Sequence, residues 1–279
     1  VLWVVCLLPL VLLSIVPAAA DTIYDIQYTT AADGASPLAD TTVASFTGGI
    51  VTHKWAGGAG KLTLYDPNYS TGWGGIQLKD FNYDMFDAVS LGDWVSFENV
   101  FVEEFRGNTI LQYDPTEYGS TYNVESTGNA LPTGLIVTLD EIAAPIEGPV
   151  GEWYVANRNA EKYEAMWLRV EDVTVTEMNL GCKADNYNVN HNPDAWVSDY
   201  MNSDLGSGAD YHSSVYVGRH YLSVTGILEQ YVPRDATSDY YQLLTTSGED
   251  LVVPEPASLL LGLLGAAGMA VVRRRRKSA

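Results

Sequence analysis

Cysteine is scarce in this chain. Its 279 residues include two cysteines, and one of these, Cys6, lies in the apolar N-terminal segment. Cys182 is therefore the single cysteine in the rest of the chain. One thiol cannot form an internal disulfide, so the fold must be held together by its core. A disulfide-stapled scaffold is excluded.

Positive charge is also scarce over most of the chain. The sequence has 15 Lys and Arg against 35 Asp and Glu, but five of the cations and Glu255 lie after residue 252. Residues 21–252 thus hold ten cations and 34 acidic residues, a formal net charge near −24. Nucleic-acid binding normally requires a basic face, so nucleic acid is disfavoured as a partner. An acidic surface keeps a protein soluble, and it is compatible with divalent cations and with neutral or cationic ligands.

The sequence also lacks familiar catalytic motifs. It has no Gly-x-Ser-x-Gly elbow and no glycine-rich phosphate loop ending in Lys-Ser or Lys-Thr. Its four histidines, His53, His191, His212 and His220, are scattered rather than spaced as a zinc site requires. We therefore expect a protein that is not an enzyme.

Residues 1–20 are almost wholly apolar and end in Val16-Pro17-Ala18-Ala19-Ala20. Small residues after an apolar core are typical of the cleavage site of a secretory signal peptide. We expect export through the secretion translocon and removal of this segment, with a permanent N-terminal anchor as the alternative.

The other end of the chain combines three features. Val253, Pro254, Glu255 and Pro256 come first, and the prolines favour an extended joint. The apolar run 257–272 follows, which as a helix would be roughly 24 Å long, somewhat short for a bilayer core of about 30 Å. Five cations then act as a basic stop-transfer segment that stays in the cytoplasm: Arg273, Arg274, Arg275, Arg276 and Lys277. On these grounds the tail is a transmembrane helix, and a plain tail anchor is one interpretation.

The order of these parts, with Gly262, Gly265 and Gly268 in the apolar run, resembles the PEP-CTERM sorting signal. The resemblance covers about residues 253–277, within a predicted sorting segment of residues 253–279. It implies recognition by an exosortase in the inner membrane of a Gram-negative bacterium, cleavage near the motif, and transfer to the cell envelope or extracellular matrix. Its family context suggests an association with exopolysaccharide. It indicates where the protein is sent and says nothing about its activity.

Between the two ends, the sequence pattern predicts an all-β body. Segments rich in Val, Ile, Thr, Tyr, Phe and Trp alternate with Gly, Asn, Asp and Pro clusters, as in small barrels or sandwiches. Strands are predicted at 41–50, 61–65, 75–79, 94–104, 109–113, 135–139, 166–175, 211–217, 220–231 and 240–245. Short helices are predicted at 138–142 and 194–201.

Two segments, 89–112 and 217–244, share a glycine turn, an alternating strand and a hairpin partner containing Gln, which indicates an internal duplication. The predicted domains are residues 21–130 and 131–252.

The second half carries Leu131-Pro132-Thr133-Gly134, then Thr138-Leu139-Asp140-Glu141, then the segment 162–176. These residues resemble the OB-like β-barrel modules that accompany extracellular nucleases of the endonuclease/exonuclease/phosphatase superfamily. The resemblance implies two tandem OB-like barrels. In those proteins the catalytic metal and histidine residues belong to a separate downstream domain, and here the tail begins where that domain would be.

Two groups of residues are candidates for ligand binding. Trp55, Tyr69 and Trp73 lie beside glycine turns and have the side chains that stack on sugar rings or bases. Packing of these rings in the core or in hairpins is the alternative. Given the acidic charge, we expect polysaccharide rather than nucleic acid as the stacked ligand.

The polar segment 181–210 contains Asp185, Asn188, Asn190 and Asp194, whose oxygens are the type of ligand that calcium takes. The turn glycine and the bidentate glutamate of an EF-hand loop are absent, which favours the alternative, a plain Asn/Asp-rich surface loop. Calcium is the one cofactor that this sequence suggests.

Together these features predict an exported, non-catalytic binding or structural module. The alternative is a degenerate or cryptic metal-dependent nuclease or phosphodiesterase that uses the carboxylates of segment 181–210.

Overall fold

The computed structural model of the protein describes residues 19–142, 145–147, 153–155, 158–178, 186–190, 195–201, 212–232 and 240–254. Most of the predicted signal peptide, Cys182 and the tail after Pro254 lie outside these ranges. No helix within them is long and apolar enough to cross a membrane.

Strands dominate the described structure. The two α-helices, α1 (Ile23–Gln27) and α2 (Asp84–Ala88), have five residues each, and short 3-10 turns cover Pro67–Tyr69, Leu139–Ile142, Glu161–Tyr163 and Gly248–Asp250. The strands are β1 (Thr42–Ala56), β2 (Gly60–Tyr65), β3 (Gly75–Asp80), β4 (Trp94–Phe105), β5 (Asn108–Tyr113), β6 (Thr121–Ser126), β7 (Leu135–Ile136), β8 (Pro145–Glu147), β9 (Trp153–Val155), β10 (Trp167–Met178), β11 (Asn186–Val189), β12 (Ala195–Ser198), β13 (His220–Tyr231), β14 (Tyr240–Leu244) and β15 (Leu251–Val252).

The first five strands close into a barrel. Their order around it is β1, β2, β3, β5, β4, and β4 returns to pair with β1. β3 and β5 are parallel, whereas all other neighbours are antiparallel. β6 extends the sheet beside β4.

A second barrel repeats this arrangement. Its order is β10, β11, β12, β14, β13, and β13 pairs back with β10. The parallel pair, β12 with β14, stands at the same place in the order as in the first barrel. β7 and β15 add to its edges, and β8 and β9 form a separate two-stranded ribbon. The prediction of an all-β body with two tandem OB-like barrels is confirmed.

Two segments differ from the sequence-based prediction. Residues 195–198, predicted as part of the helix 194–201, form β12, and residues 212–217, the described part of the strand predicted at 211–217, contain no strand. β11 and β12 both fall inside the segment interpreted as a polar loop. They are only four residues each, too short to show a clear apolar/polar alternation, and both asparagines of β11 are buried.

Each barrel has its own hydrophobic core. The first is built around Leu62, Leu64, Ile76 and Leu78, and Ile23 and Ile26 place one face of α1 against it. The second core includes the following residues: Leu168, Val170, Val173, Tyr187, Tyr221, Leu228 and Leu243. Tyr65 of the first barrel packs against the second core, so the barrels are in direct contact.

Hydrogen bonds also join the two barrels. The carboxylate of Glu164 accepts bonds from the backbone nitrogen of Thr109 (2.9 Å) and from Gln27 Nε2 (3.2 Å). The side chain of Asn108 bonds both the backbone oxygen and the backbone nitrogen of Gln230. We call this contact the junction. All six residues of β3 are buried, and a Cβ at Gly75, its first residue, would lie 2.4 Å from the carbonyl carbon of Ala165.

Candidate functional site

The three predicted stacking residues do not form one site. Trp55 lies near the end of β1, where its ring centroid is 4.7 Å from that of Tyr200. The ammonium of Lys61 lies 5.0 Å from the Trp55 ring. Tyr69 and Trp73 belong to a different cluster.

Tyr69 and Trp73 are connected through two tyrosines of α1. Tyr24 stacks on Tyr69 with ring centroids 4.9 Å apart, and on Tyr28 with centroids 5.0 Å apart. Tyr28 then meets Trp73 edge to face at 5.5 Å. We call these four side chains the aromatic row. Tyr28, at 43% exposure, is the most accessible side chain of the row, and the other three are partly buried.

The sequence around α1 explains why Tyr24 and Tyr28 lie side by side. Thr22 and Asp25 form a capping box that starts the helix, since the Thr22 hydroxyl accepts from the Asp25 nitrogen and the Asp25 carboxylate accepts from the Thr22 nitrogen. Tyr24 and Tyr28 are four residues apart and therefore share one helix face, opposite the buried isoleucines. Their i, i+4 spacing is the sequence feature from which they could have been found.

The turn that carries Tyr69 and Trp73 is held by backbone contacts. The Trp73 nitrogen donates to the Lys162 oxygen of the second barrel at 2.5 Å, and Trp73 has a left-handed φ of 65°. A side chain at Gly74 would place its Cβ 2.6 Å from the Tyr69 oxygen. Glycine is required there because the turn folds back closely on itself.

A shallow groove of about 720 Å³ runs beside the aromatic row. Its lining includes Tyr24, Tyr28, the carboxyl-bearing Asp25 and Asp33, and the hydroxyls of neighbouring threonines. Ser36 anchors the far side of the groove, since its nitrogen donates to Glu104 Oε1 at 2.8 Å and its hydroxyl to the Ile26 oxygen at 2.5 Å. The described lining contains no Lys or Arg. Such a surface offers apolar ring area together with acceptors for hydroxyl protons.

The geometry of the row limits how a ligand can use it. Because Tyr24 stacks on both of its neighbours, its ring faces are engaged within the row. Tyr24 and Tyr28 are the members of the row that line the groove.

The calcium prediction remains untested. Asp185 and Asp194 lie outside the described residues, and Asn188 is a buried residue of β11. Asn190 Oδ1 accepts a bond from the Thr174 nitrogen at 2.9 Å, so this oxygen already has a structural role. In the described part of the chain, no group of three or more His, Cys, Asp and Glu is arranged to hold a metal ion.

The described histidines have separate environments. Burial lowers the pKa of His53 to about 4, and its ring lies 6.4 Å from that of Trp167. His220 Nε2 is 2.8 Å from Asp172 Oδ1, whereas His212 Nδ1 is 2.8 Å from the Ser214 hydroxyl. His191 lies outside the described ranges.

The C-terminal segment joins the second barrel directly. β15 pairs with β13, and Val253 packs against the second core, while Pro254 is exposed. Residues 252–277 match the family model described as the PEP-CTERM protein-sorting motif. The tail is a PEP-CTERM sorting motif. This motif implies processing by an exosortase and an exported, envelope-associated protein. The PEP-CTERM motif thus begins at the last strand of the barrel, and it includes Val253, Pro254, Glu255 and Pro256.

Comparisons of the whole chain with known proteins add little to what the sorting motif indicates. No curated protein matches it in sequence. Among solved structures, a putative aspartyl-tRNA synthetase from Leishmania major Friedlin is similar at 15% identity and a TM-score of 0.30, covering 50% of this chain and 27% of that chain. A murine DNA-binding protein bound with double-stranded DNA is similar at 9% identity and a TM-score of 0.33, covering 72% and 87%. Fission yeast Pot1 with single-stranded DNA is similar at 13% identity and a TM-score of 0.26, covering 74% and 78%. Likenesses at such scores carry no argument about this chain's ligand.

Proposed function

We propose that the two-barrel body is a non-catalytic binding module for polysaccharide in the cell envelope or extracellular matrix. In this proposal the signal peptide and the translocon export the chain, and the C-terminal helix holds it in the inner membrane until the exosortase acts. The body then associates with exopolysaccharide after release.

The aromatic row beside its acidic groove is the observation that carries this proposal. Sugars present apolar C–H faces, which pack on aromatic rings, and hydroxyl groups, which donate to carboxylates such as Asp33. The absence of Lys and Arg from the described lining favours a neutral sugar over a phosphate-bearing ligand at this groove.

Binding of the purified full-length protein to a glycan array, in detergent, tests the proposal. We expect Trp73→Ala and Tyr28→Ala each to weaken the glycan signal about fivefold, because each removes one aromatic contact of roughly 1 kcal/mol. Tyr216→Ala is the matched control for Tyr28→Ala, since Tyr216 is an equally exposed tyrosine of the second barrel, at 50% exposure. Silence of the wild-type protein across a broad array would contradict the proposal.

The non-catalytic part of the proposal needs a separate measurement. The protein is incubated with glycans, DNA and model phosphodiesters in the presence of divalent metals. We expect no turnover of any of them. Metal-dependent cleavage that is lost when the carboxylates of segment 181–210 are changed would establish the enzymatic alternative instead.

A further inference from the structure

A second, smaller cavity lies at the junction. Its volume is about 180 Å³, and it opens between the β4–β5 turn and β2 of the first barrel and β13 of the second. We call it the junction cleft. Its lining includes Lys61, Phe105, Arg106, Tyr200, Glu229 and Tyr231.

The guanidinium of Arg106 is held in place on several sides. Its Nη1 donates to the Tyr231 hydroxyl at 3.0 Å, and its central carbon lies 5.5 Å from the Tyr231 ring and 5.4 Å from the Phe105 ring. The backbone oxygen of Arg106 accepts a bond from the Val232 nitrogen at 3.0 Å. Arg106 adopts a left-handed φ of 57°, which is unfavourable for a residue with a side chain. The junction therefore holds one cationic side chain in a defined orientation.

The cleft concentrates positive charge in a body that has little of it. Lys61, whose ammonium lies 5.0 Å from the Trp55 ring and 5.7 Å from the Tyr200 ring, is the second cation of its lining. Glu229 is the acidic residue of the lining, and its Oε2 accepts a bond from Gln242 Nε2 at 2.7 Å. Two cations and one carboxylate thus line the cleft, against 34 acidic residues and ten cations in residues 21–252.

We propose that the junction cleft binds the carboxylate of an acidic sugar unit. The planar guanidinium of Arg106 has five N–H donors, one of which bonds Tyr231, and its fork geometry matches a carboxylate. The rings of Tyr200 and Tyr231, which line the cleft, supply apolar surface for the sugar ring. The cavity is smaller than the roughly 300–1,000 Å³ of drug-sized sites, so it accommodates a single unit.

The net charge of the body further limits which acidic ligands the cleft can bind. A densely charged polyanion would be repelled by a body with 24 excess negative charges. The negative charges of the body repel an isolated acidic unit in an otherwise neutral glycan much less. Salt screens the repulsion from charges more than roughly 8–10 Å away, whereas the direct contact with Arg106 is not screened. This inference extends the proposed function with a second ligand class. The junction cleft shares no residue with the aromatic row, so either site can fail while the other holds.

Calorimetric titration of the full-length protein with methyl glucuronide and with methyl glucoside tests the cleft. We expect the wild type to bind the glucuronide more tightly than the neutral glucoside, and we expect added salt to weaken the difference. Arg106→Gln should weaken glucuronide binding about tenfold, because it removes a charged hydrogen-bond donor. Arg106→Lys, which keeps the charge and loses the fork, should lose part of this affinity and gives a second readout if Arg106→Gln fails to fold.

Arg219→Gln is the matched control. Arg219 also donates Nη1 to a tyrosine hydroxyl, that of Tyr216 at 3.2 Å, and also lies over tyrosine rings, but it precedes β13 at the end opposite Tyr231. Equal binding of the two sugars by the wild type would overturn the proposal, and so would equal losses in the Arg106 and Arg219 variants. Tighter, Arg106-dependent binding of a mononucleotide would also overturn it and would assign the cleft to phosphate. Because the glucoside and glycan-array results report on the aromatic row, failure of the cleft is distinguishable from failure of the proposed function.

Discussion

Glu164 is a carboxylate buried at the junction, with 3% of its surface exposed. Its Oε1 accepts two hydrogen bonds, from Thr109 and Gln27, while its Oε2 has no hydrogen-bond partner among the described residues. Burial, and then the nearby carboxylates of Glu161 and Glu104, raises the pKa of Glu164 well above its ordinary value. The protonated acid is therefore the form that suits the folded protein.

The stability of the protein should consequently depend on pH through Glu164. A carboxyl group whose pKa is raised on folding stabilises the protein below its unfolded pKa, near 4.5, and this contribution is lost as pH rises through the folded pKa. We expect Glu164→Gln, which is neutral at all pH values, to reduce the fall in melting temperature between mildly acidic and alkaline pH. Thermal melts across this range measure the effect.

Glu117→Gln serves as the control for the pH experiment, because Glu117 is an exposed glutamate of the first barrel. An unchanged pH dependence in Glu164→Gln, or the same change in both variants, would show that the buried carboxyl does not govern stability.

At the scale of the elements, β1 makes closure of the first barrel possible. Residues 42–50 pair with β4 and residues 50–56 pair with β2, so one strand contributes to both sides of the closure. The register shifts between Phe46 and Gly49, where the strand bends. Gly48 has a φ of 73°, and a Cβ there would lie 1.5 Å from the Val95 oxygen. The bend therefore depends on a residue without a side chain.

Gly48→Ala should therefore destabilise the protein strongly. The strained φ and the clash with β4 together should cost more than about 3 kcal/mol. Gly58→Ala is the matched control, because Gly58 also has a positive φ, 70°, but no atom lies within 4 Å of its Cβ position. We expect about 1–2 kcal/mol for the control. Urea unfolding of both variants measures the difference, and similar losses would mean that the close approach to Val95 is unimportant.

At the scale of the whole molecule, the acidic body and the sorting tail meet without a spacer. Val252 pairs with Ser223 in the second barrel, and the motif begins at residue 252. Val252 is 43% exposed, Val253 packs against the second core, and Pro254 is exposed. Because proline disfavours helix in the residue before it, Pro254 and Pro256 favour an extended joint after the barrel.

Replacing both Pro254 and Pro256 with alanine should impair processing. Alanine permits helix where proline disfavours it, so the helix predicted for the apolar run 257–272 would extend toward the barrel. We expect a full-length form to accumulate in the membrane fraction of the host, measured by fractionation and immunoblotting. Pro115→Ala, at an exposed turn of the first barrel, is the control. Processing and release of the double variant at the wild-type level would contradict the prediction.

Much of the fold could be predicted from local sequence patterns. Long alternating strands such as β4, β10 and β13 were predicted within a few residues, because one side of each faces a core. β11 could not be predicted in this way, since all four of its residues are buried and Asn186 bonds the distant Tyr240 hydroxyl at 3.2 Å. Its polar residues are stabilised by tertiary partners, which local patterns do not contain.

The binding surfaces were predictable only in part. Tyr69 and Trp73 are candidates by residue type, but Tyr24 of α1 and Tyr28 at its C-cap, which connect them, carry only their i, i+4 spacing as a local signal. Trp55 meets the same criterion, an aromatic ring beside a glycine turn, whereas the fold places it with Tyr200. The Arg106–Tyr231 contact joins residues 125 positions apart, a separation at which sequence spacing carries no information.

The sequence by itself determined where this protein is sent, because a sorting signal is one contiguous segment. Its proline joint, apolar run and cations follow one another along the chain and need no tertiary contact to be recognised. It also determined the all-β class, since strand periodicity is local. The tertiary structure decided which surfaces are available to a ligand. Barrel closure and the junction bring distant side chains together and bury others, and both depend on long-range packing rather than on neighbouring residues.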